Sequence, residues 1–375
     1  MMRGSLVVLF ITHLMAASQL LGDDARLQER RTSTSEYSLT TLQWEKLDGS
    51  IDRALEYLAT QQDRDGSFRT IDVGQPGVTS LCLLAFLSAG HVPDEGPYGK
   101  TISRAIDFVL SKQREDGLLF DMPIGAFRLN NPAHTGIYNH AIAGLMLSEV
   151  YGMGQGDQQE RIRESVIKAC QFTFTRQGFY KRHPEEQGGW RYLNLYRQQS
   201  DADLSITSWQ LLFLRSARNA EFDIPEKVIN DAMEYVEGCY DPRRGSFMYC
   251  IVAGRDTTPA MCGAGIVSLS MGGRHDSPEA QNAGEWMMRQ RFGSYQGVDR
   301  YHYSAYYCSQ AAFQLGSEYW SKFYPPLMNA LVDHQRPDGS WDLEHQEAIY
   351  GNVYSTSLSI LALTPPYQIL PIYQR

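Results

Sequence analysis

Along much of the chain, apolar residues recur at the 0, 3, 4, 7 spacing of an amphipathic helix. Each such stretch leads into a polar turn and then into a run that is apolar on nearly every side. The last copy is the plainest. Leu327, Ala330, Leu331 and His334 share one helical face. Pro337 cannot continue that helix, because it lacks an N–H and its ring clashes with the preceding turn. Asp338-Gly339 is a turn pair: Asp bonds nearby backbone and Gly tolerates positive φ. Trp341 offers a large apolar surface to lay over the turn, and Tyr354 to Leu363 then reads as a buried helix. One unit is therefore an outer amphipathic helix, a turn ending in an aromatic residue, and an inner helix.

The same unit recurs from the beginning of the pattern. Ile51, Ala54, Leu55 and Leu58 lead to QDRDGSF (62–68) and the inner run Val78 to Gly90. Ile102, Ala105, Ile106 and Val109 lead to QREDGLLF (113–120) and the inner run Tyr138 to Gly152. A third outer helix carries Ile162, Val166 and Ala169. Its turn is longer and degenerate, reaching QGGW at Gln187 to Trp190, before the inner run Leu204 to Ala217. In the fourth, Ile229, Ala232, Met233 and Val236 precede DPRRGSF (241–247), with Asp in place of Gln, and the inner run Thr258 to Gly273. The fifth has Ala283, Trp286 and Met287, no Asp-Gly turn, and the inner run His302 to Gly316. Six outer and six inner helices alternate, with no strand-like segments long enough to build a sheet. The first and last inner helices are as apolar as the middle ones, whereas an open solenoid ends in polar caps, so the pattern predicts an all-α closed ring.

Composition narrows the picture only a little. With 375 residues and 43% hydrophobic content the chain can bury a large core. A formal charge of −9 argues against a nucleic-acid partner, since phosphate contacts need a basic surface. At the N-terminus, Arg3, the apolar run Leu6 to Ala17 and the small residues Ala16-Ala17-Ser18 read as a signal peptide over 1–22, and so as export. The alternative is an uncleaved anchor, with peripheral contact to a membrane. Residues 23–46 are expected to be a flexible lead-in, 47–367 a single ring, and 368–375 a tail. Cys82, Cys170, Cys262 and Cys308 fall in helices and read as small buried hydrophobes, while Cys239 and Cys250 flank one turn, where a local disulfide is conceivable.

The turns QDRDGSF, QREDGLLF and QRPDGSW, each feeding an inner helix rich in small residues, resemble the prenyltransferase/squalene-oxidase repeat. This is the QW-type repeat of squalene–hopene cyclases, terpenoid cyclases and protein prenyltransferase β subunits. The resemblance spans roughly Leu47 to Tyr367 and implies an (α/α)6 toroid. Its central cavity would be lined by inner helices and would hold an apolar small-molecule or lipid ligand of isoprenoid type.

The resemblance implies a reaction less directly. Class II terpene cyclases protonate an alkene with the middle Asp of D-x-D-D, and the matching stretch here is DADL, Asp201 to Leu204. Asp203 stands at the proton donor's position and Asp201 is its neighbour, but Leu204 replaces the last carboxylate. Read from the residues alone, Asp203 or Ser205 simply caps the helix that follows. The zinc site of protein prenyltransferases begins with D-x-C, and no cysteine here has Asp two residues before it; neither the CGEQ of thioester proteins nor any cofactor motif is present. The candidate ligand-binding residues are Tyr138, His140, Trp209, Thr258, Tyr303, Tyr307 and Tyr354, near the inner-helix starts, where aromatic faces suit a carbocation, a lipid or a sugar. Two further readings stand beside the first: a non-catalytic binding scaffold outside the cytoplasm, and a polysaccharide-active toroid. The last would need two carboxylates facing across the cavity, with Asp121, Glu185, Glu186 and Asp256 as partners for Asp201 or Asp203.

Overall fold

A computed structural model of the chain describes residues 39–125, 131–154, 156–194, 200–252 and 256–374. The expected signal peptide and most of the lead-in lie outside the described residues. Among those described, twelve α-helices alternate between an outer and an inner ring. The outer helices are α1 (Thr41–Thr60), α3 (Gly99–Ser111), α5 (Gly156–Gln177), α7 (Glu226–Gly238), α9 (Pro278–Met288) and α11 (Ser317–Asp333). The inner helices are α2 (Gly77–Ser88), α4 (Pro132–Val150), α6 (Leu204–Asn219), α8 (Pro259–Met271), α10 (Tyr301–Leu315) and α12 (Gly351–Leu363). Each inner helix packs on the next, and α12 packs on α2, so the ring closes.

Burial follows the hydrophobic pattern. In α1 the buried positions are Leu47, Ser50, Ile51, Ala54, Leu55 and Leu58, whereas every residue of α2 is buried. The first outer helix begins at Thr41, ahead of the expected boundary at Leu47, because Thr40 and Gln43 form a reciprocal capping box. At the other end Leu370, Ile372 and Tyr373 are buried, and Gln314 Nε2 donates to the Tyr373 carbonyl, so these tail residues are held against the ring.

What fastens one unit to the next is the glutamine at the end of the outer helix. Gln62 Nε2 donates to the Gly66 carbonyl in its own turn (3.0 Å) and to Thr101 on the next outer helix (2.8 Å). Gln113 does the same to Gly117 and Ser165, and Gln335 to Gly339 and Ser50. The last pair joins the sixth unit to the first. In the third unit the latch is Gln177, which reaches Gly188 and Val228, whereas Gln187 is exposed. An insertion between Gln177 and Gly188 had hidden the pair in sequence. The glycines must come close to backbone: a Cβ on Gly188 (φ 83°) would lie 1.9 Å from the Asp231 carbonyl oxygen. The turn aromatics then bury themselves, with Trp190 Nε1 donating to Thr173 and Trp341 Nε1 to Leu331 on the preceding outer helix.

Units four and five depart from this plan. The fourth turn is a short hairpin of β1 (Tyr240–Asp241) and β2 (Ser246–Phe247), in which Tyr240 pairs with Phe247 as Gln62 pairs with Phe68. Cys239 and Cys250 are both buried as thiols, so the local disulfide is not formed; the Cys250 sulfur instead takes a contact from Arg191 Nη1 at 3.6 Å.

Candidate functional site

The first turns of all six inner helices surround a cavity of about 910 Å³. The lining follows i, i+4 rows: Gly77 and Leu81 on α2, Tyr138 and Ile142 on α4, Ser205 and Trp209 on α6, Tyr354 and Leu358 on α12. Because the helices run side by side, the second member of each row lies deeper, and the floor is apolar and aromatic. Below it, Trp209 stacks on Tyr306 at 5.4 Å between ring centroids and meets the edge of Tyr307 at 5.5 Å. Tyr306 in turn hydrogen-bonds the hydroxyl of Tyr373 from the tail.

The mouth is charged. Arg300, in the left-handed region at φ 45°, precedes α10 and pairs with Glu347 (3.1 Å) and Asp299 (2.9 Å). Gln346 Nε2 donates to Asp299 at 2.6 Å, and Asp256 pairs with Arg244 at 2.9 Å. Glu344 sits behind them, accepting from the backbone N–H groups of Tyr301 and His302 and so capping α10. Burial raises the carboxyl of Glu347 above the usual glutamate value against the pull of Arg300. His134 also lines the mouth, and burial, helped by Arg191, lowers it to about 4, so its imidazole is neutral near pH 7. No three His, Cys, Asp or Glu side chains among the described residues form a group that could hold a metal.

Of the residues singled out from sequence, Tyr138, Trp209, Thr258, Tyr303 and Tyr354 line this cavity. Thr258 does so while capping α8, its Oγ1 accepting from Met261 N–H. His140 does not. The helix α4 starts at Pro132, so His140 lies two turns in and on the outward face. Its Nδ1 accepts from Leu119 N–H (3.2 Å) and its Nε2 meets Thr173 Oγ1 (2.9 Å). That is the post held by Thr79, Thr207 and Thr356, which accept from the turn aromatics Phe68, Trp190 and Trp341. Tyr307 is also off the cavity wall, packed beneath Tyr303 with centroids 5.2 Å apart.

Neither Asp201 nor Asp203 is part of the cavity lining. Asp201 is gripped by Arg182, whose Nη2 and Nε lie 2.6 and 2.8 Å from its two oxygens. Burial works against its ionisation, but the Arg182 hydrogen bonds hold its carboxyl below the usual value. Asp203 is fully buried and is the N-cap of α6, its Oδ1 accepting from Ile206 N–H at 2.8 Å. Its Oδ2 accepts from Tyr249 Oη at 3.1 Å and lies 3.6 Å from Arg191 Nε. Burial works to lower the guanidinium of Arg191, but the Asp203 carboxylate together with Cys250, Tyr249 and Tyr192 outweighs it and raises the group. The two aspartates therefore have separate partners. Among the other carboxylates considered, Asp121 is exposed beside Lys112, Glu185 is exposed, and Glu186 is buried and accepts from Asp201 N–H. Asp256 alone of these reaches the cavity.

Sequence reasoning passed over Tyr192 and Tyr249, which stand on the cavity wall with their hydroxyls 3.0 Å apart. Each follows a turn aromatic by two residues, in Trp190-Arg191-Tyr192 and Phe247-Met248-Tyr249. An extended segment alternates its faces, so when the first aromatic turns outward into the core the second turns inward.

The geometry invites comparison with proteins of known structure. The type II terpene cyclase MstE from Scytonema, in complex with geranylgeranyl dihydroxybenzoate, superposes with a TM-score of 0.56. Identity is 13%, and the match covers 88% of this chain and 99% of that one. Cellobiose 2-epimerase from Spirochaeta thermophila gives 0.55 at 13% identity, over 88% and 99% of the two chains. Candida albicans protein geranylgeranyltransferase-I, complexed with GGPP, gives 0.50 at 12% identity, over 85% and 91%. The likeness is one of fold. The chain is an (α/α)6 toroid, the architecture these neighbours share. No family model matches the sequence, and no curated protein does.

Proposed function

We propose that this toroid is an exported protein that holds an apolar, isoprenoid-type molecule in its central cavity, with any polar end at the mouth. The observation that carries the reading is the cavity itself. Its floor is built from Leu81, Ile142, Trp209 and Leu358, and its charged groups are confined to the rim. A volume of about 910 Å³ sits at the upper end of the roughly 300–1,000 Å³ of small-molecule sites, large enough for a long chain. Two neighbours of the same fold carry geranylgeranyl compounds in complex, which supports the ligand class. Export rests on the N-terminal pattern of Arg3 and Leu6 to Ala17.

We read the protein as a binder rather than as a cyclase. Protonating an alkene needs a carboxylic acid that presents its proton to the ligand. Asp203 is instead an acceptor for Ile206 N–H and Tyr249 O–H beside a cation, and Tyr249 stands between it and the cavity. The sugar reading has the epimerase as a neighbour, but the rim carboxylates Asp256, Asp299 and Glu347 are each engaged by an arginine.

The test is a titration of intrinsic fluorescence with geranylgeraniol and with cellobiose, beside lipid extraction and mass spectrometry of the protein purified from its own host. Geranylgeraniol should quench the emission of Trp209, and Ile142→Trp, which fills the floor, should weaken its binding by about ten-fold or more. Binding of cellobiose with no response to the polyprenol would overturn the reading in favour of sugars.

A further inference from the structure

The inward rows of the ring continue below the cavity floor. Gly77, Tyr138, Ser205 and Tyr303 line the cavity, each on its own inner helix. Eleven residues on, an α-helix returns to the same face about 16 Å deeper. At those positions stand Ser88, Glu149, Ser216 and Gln314, all buried. Helices that are otherwise apolar thus end in a collar of polar groups around the axis, and Ser216 Oγ donates to Glu149 within it.

The protein's own C-terminus fills this collar. Just past α12, Tyr367 stacks on Trp44 with centroids 5.8 Å apart and donates to Asp48 at 2.7 Å, which anchors the segment on α1. The segment then crosses the far end of the ring. Ile369 lies against Gly90 at the end of α2, and a Cβ on that glycine would be 3.3 Å from its Cδ1. Residues 371–373 pack on α6, with the Ile372 backbone beside Glu149 of α4. Gln314 of α10 donates to the Tyr373 carbonyl at 2.8 Å. The Tyr373 ring is buried, meets Tyr306 edge-on at 6.4 Å and hydrogen-bonds its hydroxyl. Since Tyr306 carries Trp209 stacked upon it, three aromatic side chains fill the axis from the floor to the tail.

Resting on the apolar-ligand reading above, we propose that residues 365–374 are a stopper in the far half of the ring, and that Tyr373, through Tyr306, sets how long a prenyl chain the cavity takes. The stop is steric and also polar. A chain that ran deeper would have to displace the column and then bury its end against Glu149 and Ser216, whose lost hydrogen bonds it could not replace. Tyr373 touches no ligand; it is a positioning residue that holds Tyr306, and so Trp209, at their present depth.

The test is a fluorescence titration of the intact protein with prenols of increasing length, from geraniol through geranylgeraniol to solanesol. Affinity of the parent should climb with length and then level off, once further isoprene units stay outside the mouth. Tyr373→Ala lets Tyr306 sink into the vacated space, so the levelling-off should move to longer prenols. The first prenol beyond the parent's limit should gain about ten-fold, which burying roughly two more CH2 groups supplies. Tyr373→Phe keeps the ring and should restore the parent's limit. Should the alanine variant fail to fold, Tyr373→Leu, which keeps an apolar side chain shorter than the phenol, carries the same expectation. A limit that stays at the same length in every variant, or a loss by one common factor at all lengths, would overturn the stopper while leaving the apolar reading intact. Failure of every prenol to bind the parent would sink both.

Discussion

Two parts of this ring, four units and two, solve the same construction problem differently. In units six, one, two and three, a glutamine ties its own turn to the next outer helix and a glycine lies against that helix's backbone. In units four and five no such glutamine latch is found among the described residues. The fourth turn is a hairpin whose Gly245, at φ 66°, has its closest neighbour at 3.9 Å, and the fifth is a loop that runs straight to Asp299 and Arg300. The two unlatched units supply Tyr249, Asp256, Asp299 and Arg300 to the cavity and its mouth. The contrast teaches that the regular residues of the repeat go into joining units, and that the units without the latch add their own polar groups to the mouth beside His134, Gln346 and Glu347 of latched units.

The sharpest way to break that comparison is a matched pair of glycine substitutions. Gly188→Ala puts a methyl group into the Asp231 carbonyl at a backbone angle that L-residues avoid, so it should cost about 4 kcal/mol in chemical denaturation. Gly245→Ala carries only the left-handed strain, about 1 kcal/mol. Equal losses would mean that the latched and unlatched turns bear on stability alike.

A weak point within the latched part sharpens the comparison next. Near the end of α4, Glu149 is 4% exposed, with Ser216 Oγ donating to it at 2.5 Å. Burial raises its carboxyl from 4.5 to about 7. The unfolded chain thus gives up this proton above about pH 4.5 while the folded chain holds it to about 7. Stability from this group is undiminished below pH 4.5, falls as pH rises through that window, and is lower by about 3 kcal/mol above it. Urea unfolding of Glu149→Gln should lack this fall, and the variant should gain on the parent at pH 8 while differing little at pH 4. A pH profile that the substitution leaves unchanged would remove Glu149 from the account.

Gln335→Ala should follow at about 2 kcal/mol. It removes the bonds to Ser50 and Gly339 and leaves the Ser50 carbonyl without this donor in a half-buried seam. Smallest of all, Arg300→Gly should stay within about 1 kcal/mol in the same assay. Relief of the left-handed backbone offsets two partly exposed ion pairs. A loss as large as that of Gln335→Ala would make the rim ion pairs structural members rather than surface chemistry.

Much of the ring was legible in the sequence because its signals are local. The spacing in α1, α3, α7 and α11 gives each outer helix a phase, and Gln, Gly and an aromatic at short separation mark the turns. Gln177 escaped because ten intervening residues part it from Gly188, and proximity in sequence was the only signal available. The site was harder for a physical reason. An inner helix buried on every side has no polar face, so nothing in its pattern says which residues look inward. Hence the sequence puts His140 among the candidate wall residues, whereas in the structure it holds the post of Thr79 and Thr207. Asp203 as a cap was readable, since Asp before a helix has a mechanism of its own. The pairing of Tyr192 with Tyr249 was not, because it depends on the turns of two successive units meeting in space.

The bond between Gln335 and Ser50 spans 285 positions. Its consequence lies in the order of synthesis. Chain leaving a ribosome would form the early units long before the partner that α1 needs has been made. Until residues near 335 emerge, α1 and α2 present an unsatisfied flank, and that exposed flank can pair with the wrong surface. High sequence separation also slows the final joining step, because the long intervening segment must be brought back on itself before any contact rewards it. A ring that gains its strength by having no ends is therefore, while being made, a structure with one end left waiting.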